Sequence, residues 1–97
     1  MKLEISIRPE AELDLADAAQ WYESQQPELG HQFLDEVLAI FSAISASPQT
    51  WQIAHRNTRR ALLHRFPFGV YYRIEQDAIV VVAVMHGSRN PRRWKSR

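Results

Sequence analysis

The residues best suited to chemistry lie near the end of the chain, where an apolar run ends at His86 and Arg89 follows three residues later. An imidazole moves protons near neutral pH, and a guanidinium stabilises the charge that develops on a phosphorane. With Tyr71 or Tyr72, this pair would suit a metal-free RNA-cleaving site. The structural alternative is that His86 ends a strand and hydrogen-bonds the backbone, and the sequence leaves both open.

Basic residues concentrate in the second half of the chain, with aromatic side chains among them. Such a mixture is typical of a surface that binds nucleic acid or an acidic protein, although a basic tail is also compatible with a solvated chain end. Trp51, Arg56, Lys95 and Arg97 would lie near this surface if the basic residues gather on one face. The residues predicted to bind a partner are Arg59, Arg60, Arg65, His86, Arg89, Arg92, Arg93 and Trp94.

No motif predicts a metal or cofactor site. The chain has no cysteine, which excludes thiolate ligands and disulfides. Its four histidines include no pair at i, i+4 spacing and no H-E-x-x-H pattern, and no glycine-rich phosphate-binding motif occurs. We therefore expect neither a metal nor a cofactor.

Length and charge bound the fold and its partners. The 97 residues predict a single domain over 1–97 with a modest core. The net charge of +1 hides an asymmetry, because residues 1–50 hold nine acidic and two basic residues while residues 51–97 hold two acidic and ten basic ones. The longest apolar run, AIVVVAVM, is far shorter than the ~20 residues that cross a bilayer. With no evident signal peptide, we expect a cytoplasmic protein without membrane contacts.

Periodicity divides the first part of the chain into a strand and two helices. Alternating apolar and polar residues predict a strand over 2–8. Apolar stripes at helical spacing predict helices over 9–25 and 28–46, and their short connection favours an antiparallel hairpin. Residues 50–59 have no clear period and are expected to form an irregular connection.

The remainder is rich in β-branched and aromatic residues, which predict strands over 60–66, 68–75 and 78–86. Tyr72 is predicted to face the core, and Tyr71 the other side, where it would be available for recognition. The last strand is apolar on both faces and should be central, with Ile79, Val81, Ala83 and Met85 on one face and Val80, Val82 and Val84 on the other. The predicted fold is α+β, in the order β-α-α-β-β-β, with a helical hairpin packed on a curved, mostly antiparallel sheet.

The segment HRFPFGVYYRIEQDAIVVVAVMHGSRNPRRW resembles the C-terminal sequence of the ParE/RelE superfamily of toxins from type II toxin–antitoxin pairs. The opening segments ISIRPEAELDLADAAQWYESQ and FLDEVLAIFSAISASP resemble the first strand and the two helices of that superfamily, so the likeness covers nearly the whole chain. The C-terminal resemblance rests on an Arg, a Phe-Pro-aromatic corner, a Tyr-containing strand, a Val-rich strand and a His-x-x-Arg-x-Pro-x-x-Trp ending, here Arg65, Phe66, Pro67, Phe68, Tyr72, Val80–Val84, His86, Arg89, Pro91 and Trp94.

The resemblance implies a growth-inhibiting protein that a cognate antitoxin neutralises in a hetero-oligomeric complex. The tail of such an antitoxin usually wraps the sheet and helices of the toxin. Because the antitoxin usually carries the DNA-binding module, direct sequence-specific DNA binding by this chain is not implied.

The superfamily contains two mechanisms. RelE-like members cleave messenger RNA on the ribosome and carry several lysines and arginines around the second helix, whereas ParE-like members lack that set and poison DNA gyrase. Here the predicted helix over 28–46 has no Lys or Arg, so the resemblance favours a gyrase inhibitor with no catalytic residues. The alternatives are a ribosome-dependent mRNA endoribonuclease that uses His86, Arg89 and Tyr71, or a non-toxic protein that only binds its antitoxin.

Overall fold

A computed structural model describes residues 3–97, so Lys2, at the start of the predicted first strand, lies outside the described residues. Within them, no helix is both long enough and apolar enough to cross a membrane. The elements in chain order are β1 (Glu4–Ile7), α1 (Pro9–Gln25), α2 (Leu29–Ala46), β2 (Ile53–His55), β3 (Thr58–Leu62), β4 (Phe68–Glu75), β5 (Ala78–His86) and α3 (Arg92–Lys95).

The strands form one mixed sheet in the order β1-β5-β4-β3-β2. β1 runs parallel to β5, with Ile5 opposite Ile79 and Ile7 opposite Val81. The other three pairs are antiparallel. The predicted α+β fold is therefore confirmed, with both helices packed over one face of the sheet.

Two short elements were not predicted from the sequence. The segment 50–59 contains β2, whose three residues pair irregularly with β3 and are too few to show a period. The chain also forms a final helix, α3, of only four residues. The predicted strand over 60–66 is wrong at both ends. β3 begins at Thr58, within the segment predicted to be irregular. It ends at Leu62, because the backbone N–H groups of His64 and Arg65 donate to the Glu36 carboxylate on α2 and not to a neighbouring strand.

The main core lies between the helices and the sheet. It contains an aromatic cluster in which Tyr22, Phe33 and Phe66 have ring centroids about 5 Å apart, mostly edge to face. Tyr72 is fully buried in this core as predicted, and its hydroxyl donates a 2.6 Å hydrogen bond to the Pro48 carbonyl. That bond satisfies the polar end of a buried ring.

A β-bulge changes which side chains of β5 face the core. Tyr71 lies opposite Ala83 and Tyr72 opposite Val81, so Val82 is an extra residue without a partner on β4. The alternation reverses at that point, and the predicted grouping of β5 side chains is wrong beyond it. Val84 joins Ile79 and Val81 in the main core, while Ala83 and Met85 join Val82 in a second cluster on the opposite face.

The helical hairpin depends on a close approach at its turn. The Glu23 carboxylate on α1 accepts hydrogen bonds from the backbone N–H groups of Glu28 (2.9 Å) and Gly30 (3.0 Å), which have no partner within α2. A Cβ on residue 30 would lie 2.5 Å from the Ala19 carbonyl oxygen. Only a glycine allows the two helices to meet at this distance.

Gly30→Ala is expected to lower the free energy of unfolding by about 1–3 kcal/mol, because the added methyl group overlaps backbone that cannot move aside. Urea denaturation measures the change. Gly87→Ala is the matched control, since its Cβ would meet nothing closer than the Pro67 carbonyl oxygen at 3.7 Å. Equal effects of the two substitutions would contradict the close-approach explanation.

Candidate functional site

A groove of about 720 Å³ opens between α1 and the segment from β5 to α3. We call it the α1–β5 groove. One wall comes from α1, the floor is largely aromatic, and the other wall carries histidine and arginine. The lining residues are Asp14, Asp17, Ala18, Trp21, Tyr22, Pro67, Phe68, Val84, Met85, His86, Ser88, Arg89 and Arg93.

The position of His86 is fixed by the turn that follows β5. Its Nδ1 accepts a 3.0 Å hydrogen bond from the Ser88 backbone N–H and lies 2.8 Å from the Ser88 hydroxyl oxygen. The ring packs edge to face on Phe68 with centroids 5.4 Å apart. A neutral His86 therefore carries its proton on Nε2, since Nδ1 acts as an acceptor.

Arg89 and Arg93 supply positive charge to the same wall. The Arg89 backbone N–H donates to the His86 carbonyl oxygen and closes the turn, and Arg93 lies in α3. Both side chains are exposed, and neither forms an ion pair within residues 3–97. Asp17 on the facing wall is exposed as well. The groove thus presents opposite charges on its two sides.

Asp14 ties the C-terminal segment to α1 and β5. Its carboxylate accepts hydrogen bonds from the Val84 backbone N–H (3.1 Å) and from both terminal nitrogens of Arg97 (2.5 and 3.3 Å). Arg97 also donates to the Val82 carbonyl (3.2 Å), and Arg8 donates to the Arg97 main-chain oxygen (2.9 Å). These bonds satisfy backbone groups of β5 beyond the end of β1, where no strand continues the sheet.

Trp94 holds the same segment from the other face of the sheet. Its ring stacks on Tyr71 with centroids 4.4 Å apart and planes 22° apart, within the second cluster. Trp94 is 5% exposed and Tyr71 is 3% exposed. The expectation that Tyr71 is available for recognition is therefore wrong, because α3 covers it. Trp94 acts here as an anchor whose ring is largely withdrawn from contact with a partner.

The three residues of the RNA-cleaving alternative are not assembled. His86 and Arg89 line the α1–β5 groove, whereas Tyr71 lies beneath Trp94 and does not line it. The groove phenol is instead that of Tyr22. Burial raises the pKa of Tyr22, so its hydroxyl remains a protonated donor at neutral pH.

The remaining arginines of the predicted surface lie elsewhere. Arg59 donates a 2.6 Å hydrogen bond to the Trp51 carbonyl oxygen. Arg60 is exposed on β3, where it pairs with Tyr71 of β4. Arg65 donates a hydrogen bond to the Gln32 side chain on α2. Arg92 is exposed on α3 but does not line the groove. Of the eight predicted residues, the structure brings His86, Arg89 and Arg93 together in one site.

A separate positive region lies at the far side of α3. The ring centroid of His55 is 6.1 Å from that of Trp94, and the Lys95 ammonium is 5.8 Å from the Trp94 ring. Desolvation, followed by the positive charges of Lys95 and Arg56, lowers the pKa of His55. This region lies outside the α1–β5 groove.

Sequence reasoning missed the α1 wall of the groove. The role of Asp14 has no local signal, because its partner Arg97 lies 83 positions away in the sequence. A signal for Trp21 did exist, because this large aromatic residue lies off the apolar stripe of the predicted helix.

Among residues 3–97, no cluster of His, Asp or Glu is arranged to hold a metal ion.

Comparisons with known proteins identify the family from one match and the fold from two others. Residues 5–91 match the family model described as the ParE toxin of the type II toxin–antitoxin system parDE. The fold is similar to a chain of the chromosomal ParDE system from P. aeruginosa, with a TM-score of 0.78 and 15% identity over 88% of this chain and 96% of that one. It is also similar to a chain of the RelBE2 toxin–antitoxin complex from Mycobacterium tuberculosis, with a TM-score of 0.61 and 18% identity over 89% and 99%. A search of curated protein sequences finds no match.

Asp14→Ala and Arg97→Ala are each expected to lower the free energy of unfolding by about 1–3 kcal/mol, because each leaves a partly buried charge or backbone group without its partner. The double variant should lose less than the sum, since the two groups bond each other. Urea denaturation of the four proteins gives the coupling energy. Asp17→Ala, which removes an exposed acid from the same helix, should change stability little, and additive effects at 14 and 97 would contradict the pairing.

Proposed function

Because this chain belongs to the ParE toxin family of type II toxin–antitoxin systems, we propose that it arrests growth by poisoning DNA gyrase and that a cognate antitoxin neutralises it. The contact with gyrase would be made by the segment from His86 to Arg97. Both partners act in the cytoplasm, which is the location we propose for this protein.

The observation that carries the proposal is how this segment is held. Trp94 anchors it on one face of the sheet, and the Arg97–Asp14 pair anchors it at the edge of β5. Between these anchors and β5, the side chains of Arg89, Arg92 and Arg93 remain exposed. Fixed charges bind a partner at a lower entropic cost than charges on a loose tail, so the arrangement suits recognition of a large protein surface.

One observation favours an RNase as the second candidate. His86 and Arg89 line one groove, as an acid–base residue and a residue that stabilises charge would. Two observations weigh against it: Tyr71 lies outside the groove, and α2 carries no Lys or Arg. The gyrase proposal therefore takes precedence.

Purified chain is expected to inhibit gyrase supercoiling and to increase cleaved DNA in a gyrase assay. Arg89→Ala combined with Arg93→Ala should reduce this inhibition by at least about 10-fold in the concentration required, because interface arginines often contribute more than 1 kcal/mol each. Point variants are preferable to truncation after Met85, which would also remove Trp94 and Arg97 from the packing.

The matched control is Arg56→Ala combined with Arg60→Ala, which removes the same charge from exposed positions outside both the groove and the segment from His86 to Arg97. Normal supercoiling together with message cleavage in a translating extract, lost in His86→Ala, would replace the gyrase proposal with the RNase. Expression without growth arrest would indicate a non-toxic antitoxin-binding protein.

A further inference from the structure

We propose that the sheet face opposite the helices, beside α3, binds the phosphate backbone of duplex DNA without regard to sequence. We call this surface the basic sheet face and define it by Arg56, Arg60, Arg92 and Lys95. The choice of DNA over duplex RNA rests on the proposed function, since gyrase acts on DNA. The choice of phosphate as the ligand rests on the charges of the face itself.

Arg60 lies on the side of the sheet that the helices leave uncovered. In the antiparallel pairing of β3 with β4 it stands opposite Tyr71, and directly opposed residues point to the same side of a sheet. A Cβ on Gly69 would lie 3.3 Å from the Arg60 Cγ and 3.4 Å from a Tyr71 ring carbon, so both side chains lie over this glycine. Because Trp94 stacks on Tyr71, the exposed Arg60 shares its face with α3.

The other cations come from α3 and from the turn between β2 and β3. The Lys95 ammonium lies 5.8 Å from the Trp94 ring, and the ring of His55, at the end of β2, lies 6.1 Å from the same ring. Desolvation and then the charges of Lys95 and Arg56 lower the pKa of His55, so both cations lie near its imidazole. Arg92 precedes Lys95 by three residues of α3, which places the two on one side of that helix.

The charges of the basic sheet face are free to meet a ligand. Its four side chains are exposed, and none of them forms an ion pair within residues 3–97. Arg73 shares the face but lies 3.6 Å from the Glu75 carboxylate, so it is not counted. The acids of α1 and α2 lie on the other side of the sheet. A polyanion is therefore attracted to one face of the molecule and repelled from the other, which orients the chain on it.

Arg56 occupies a backbone position that does not suit an arginine. Its φ is 52°, in the left-handed region that glycine and asparagine adopt more readily. An arginine there costs backbone strain that a glycine would not. A role of the guanidinium in binding accounts for that strain, since strained positions concentrate where proteins bind their ligands.

The buried rings of this face favour a duplex over a single strand or a protein. Trp94 is 5% exposed and Tyr71 is 3% exposed. Single strands stack their bases on accessible aromatic rings, and the centres of protein interfaces are rich in aromatic residues and poor in lysine. Cations above buried rings suit phosphate groups instead, and phosphate contacts dominate sequence-independent binding of DNA.

The first test measures the fluorescence anisotropy of a labelled duplex of about 20 base pairs with the purified chain, over about 50–200 mM salt. The logarithm of the affinity should fall with the logarithm of the salt concentration with a slope of about −3 to −4, as expected for four phosphate contacts. Two duplexes of unrelated sequence should bind within about threefold of each other. A salt-independent affinity, or tighter binding of the single strand or of duplex RNA, would overturn the proposal.

The second test locates the site. Arg56→Ala combined with Arg60→Ala should weaken duplex binding by at least about 10-fold at low salt and make the salt slope shallower by about two, because each substitution removes one phosphate contact. The matched control is Arg89→Ala combined with Arg93→Ala, which removes the same charge from the α1–β5 groove and should leave the slope unchanged. Equal effects of the two double variants would mean that net charge, and not this face, binds the duplex, and the proposal would be wrong.

Arg56→Gly separates the loss of a charge from a loss of folding. Glycine adopts a φ of 52° without strain, so the urea midpoint should be equal or higher while the salt slope becomes shallower by about one. Leu62→Ala is the control for apolar contact, since it shortens an exposed side chain that lies over Gly69 on the same face. If Leu62→Ala weakens binding more than Arg56→Gly does, the face belongs to a protein partner and the assignment to DNA fails.

Failure of this proposal can be separated from failure of the proposed function. Non-specific duplex binding is weak, with a Kd of about 10⁻⁴–10⁻⁶ M, so a gyrase assay with less toxin than this reports the gyrase contact alone. If the chain inhibits gyrase but binds no duplex, the basic sheet face is wrong and the toxin function stands. If the duplex is bound through Arg56 and Arg60 but gyrase is unaffected, the face stands without that target.

Discussion

The Asp14 carboxylate accepts a backbone hydrogen bond at a part of β5 that the short strand β1 does not reach. Because β1 ends at Ile7 while β5 continues to His86, the backbone of β5 beyond Val81 has no neighbouring strand on that side. Asp14 accepts the Val84 N–H, and Arg97 donates to the Val82 carbonyl, so one ion pair replaces the missing strand. The same pair joins α1, the sheet and the C-terminal segment, and Asp14 also lines the α1–β5 groove. The residue that satisfies the backbone at the edge of the sheet is therefore also part of the groove wall.

On the other face of the sheet, Trp94 covers an apolar area that the β-bulge creates. The bulge at Val82 turns Ala83 and Met85 away from the helices, which creates an apolar area that water would otherwise cover. The ring of Trp94 covers it by stacking on Tyr71. The four-residue helix α3 has little stability of its own, so its position depends on this contact and on Arg97. The backbone that carries the exposed arginines is therefore held in place by the buried ring of Trp94 and by the paired guanidinium of Arg97.

Long elements were predicted well from the sequence, and short or non-local features were not. The helix over 9–25 has the predicted bounds because its apolar stripe repeats over several turns. The strands over 68–75 and 78–86 have the predicted bounds because β-branched and aromatic residues run without interruption between turn residues. β2 and α3 were missed because three or four residues carry no period. The bulge was missed because an all-apolar strand such as AIVVVAVMH gives the same pattern in either phase. In the site, His86 and Arg89 lie three residues apart, so the sequence analysis could place them together. Asp14 and Trp21 join them only through the packing of α1 on β5.

The parallel pairing of β1 with β5 has a consequence for the synthesis of the chain. Residues 4–7 find their partners at 78–81, so the contact that completes the sheet spans almost the entire sequence and raises the contact order. A nascent polypeptide that has left the exit tunnel only as far as α2 holds the helical hairpin without the surface it packs on. The anchored arginines then take their places only after β5 has inserted between β1 and β4, so this surface can form only when both halves of the sheet are present.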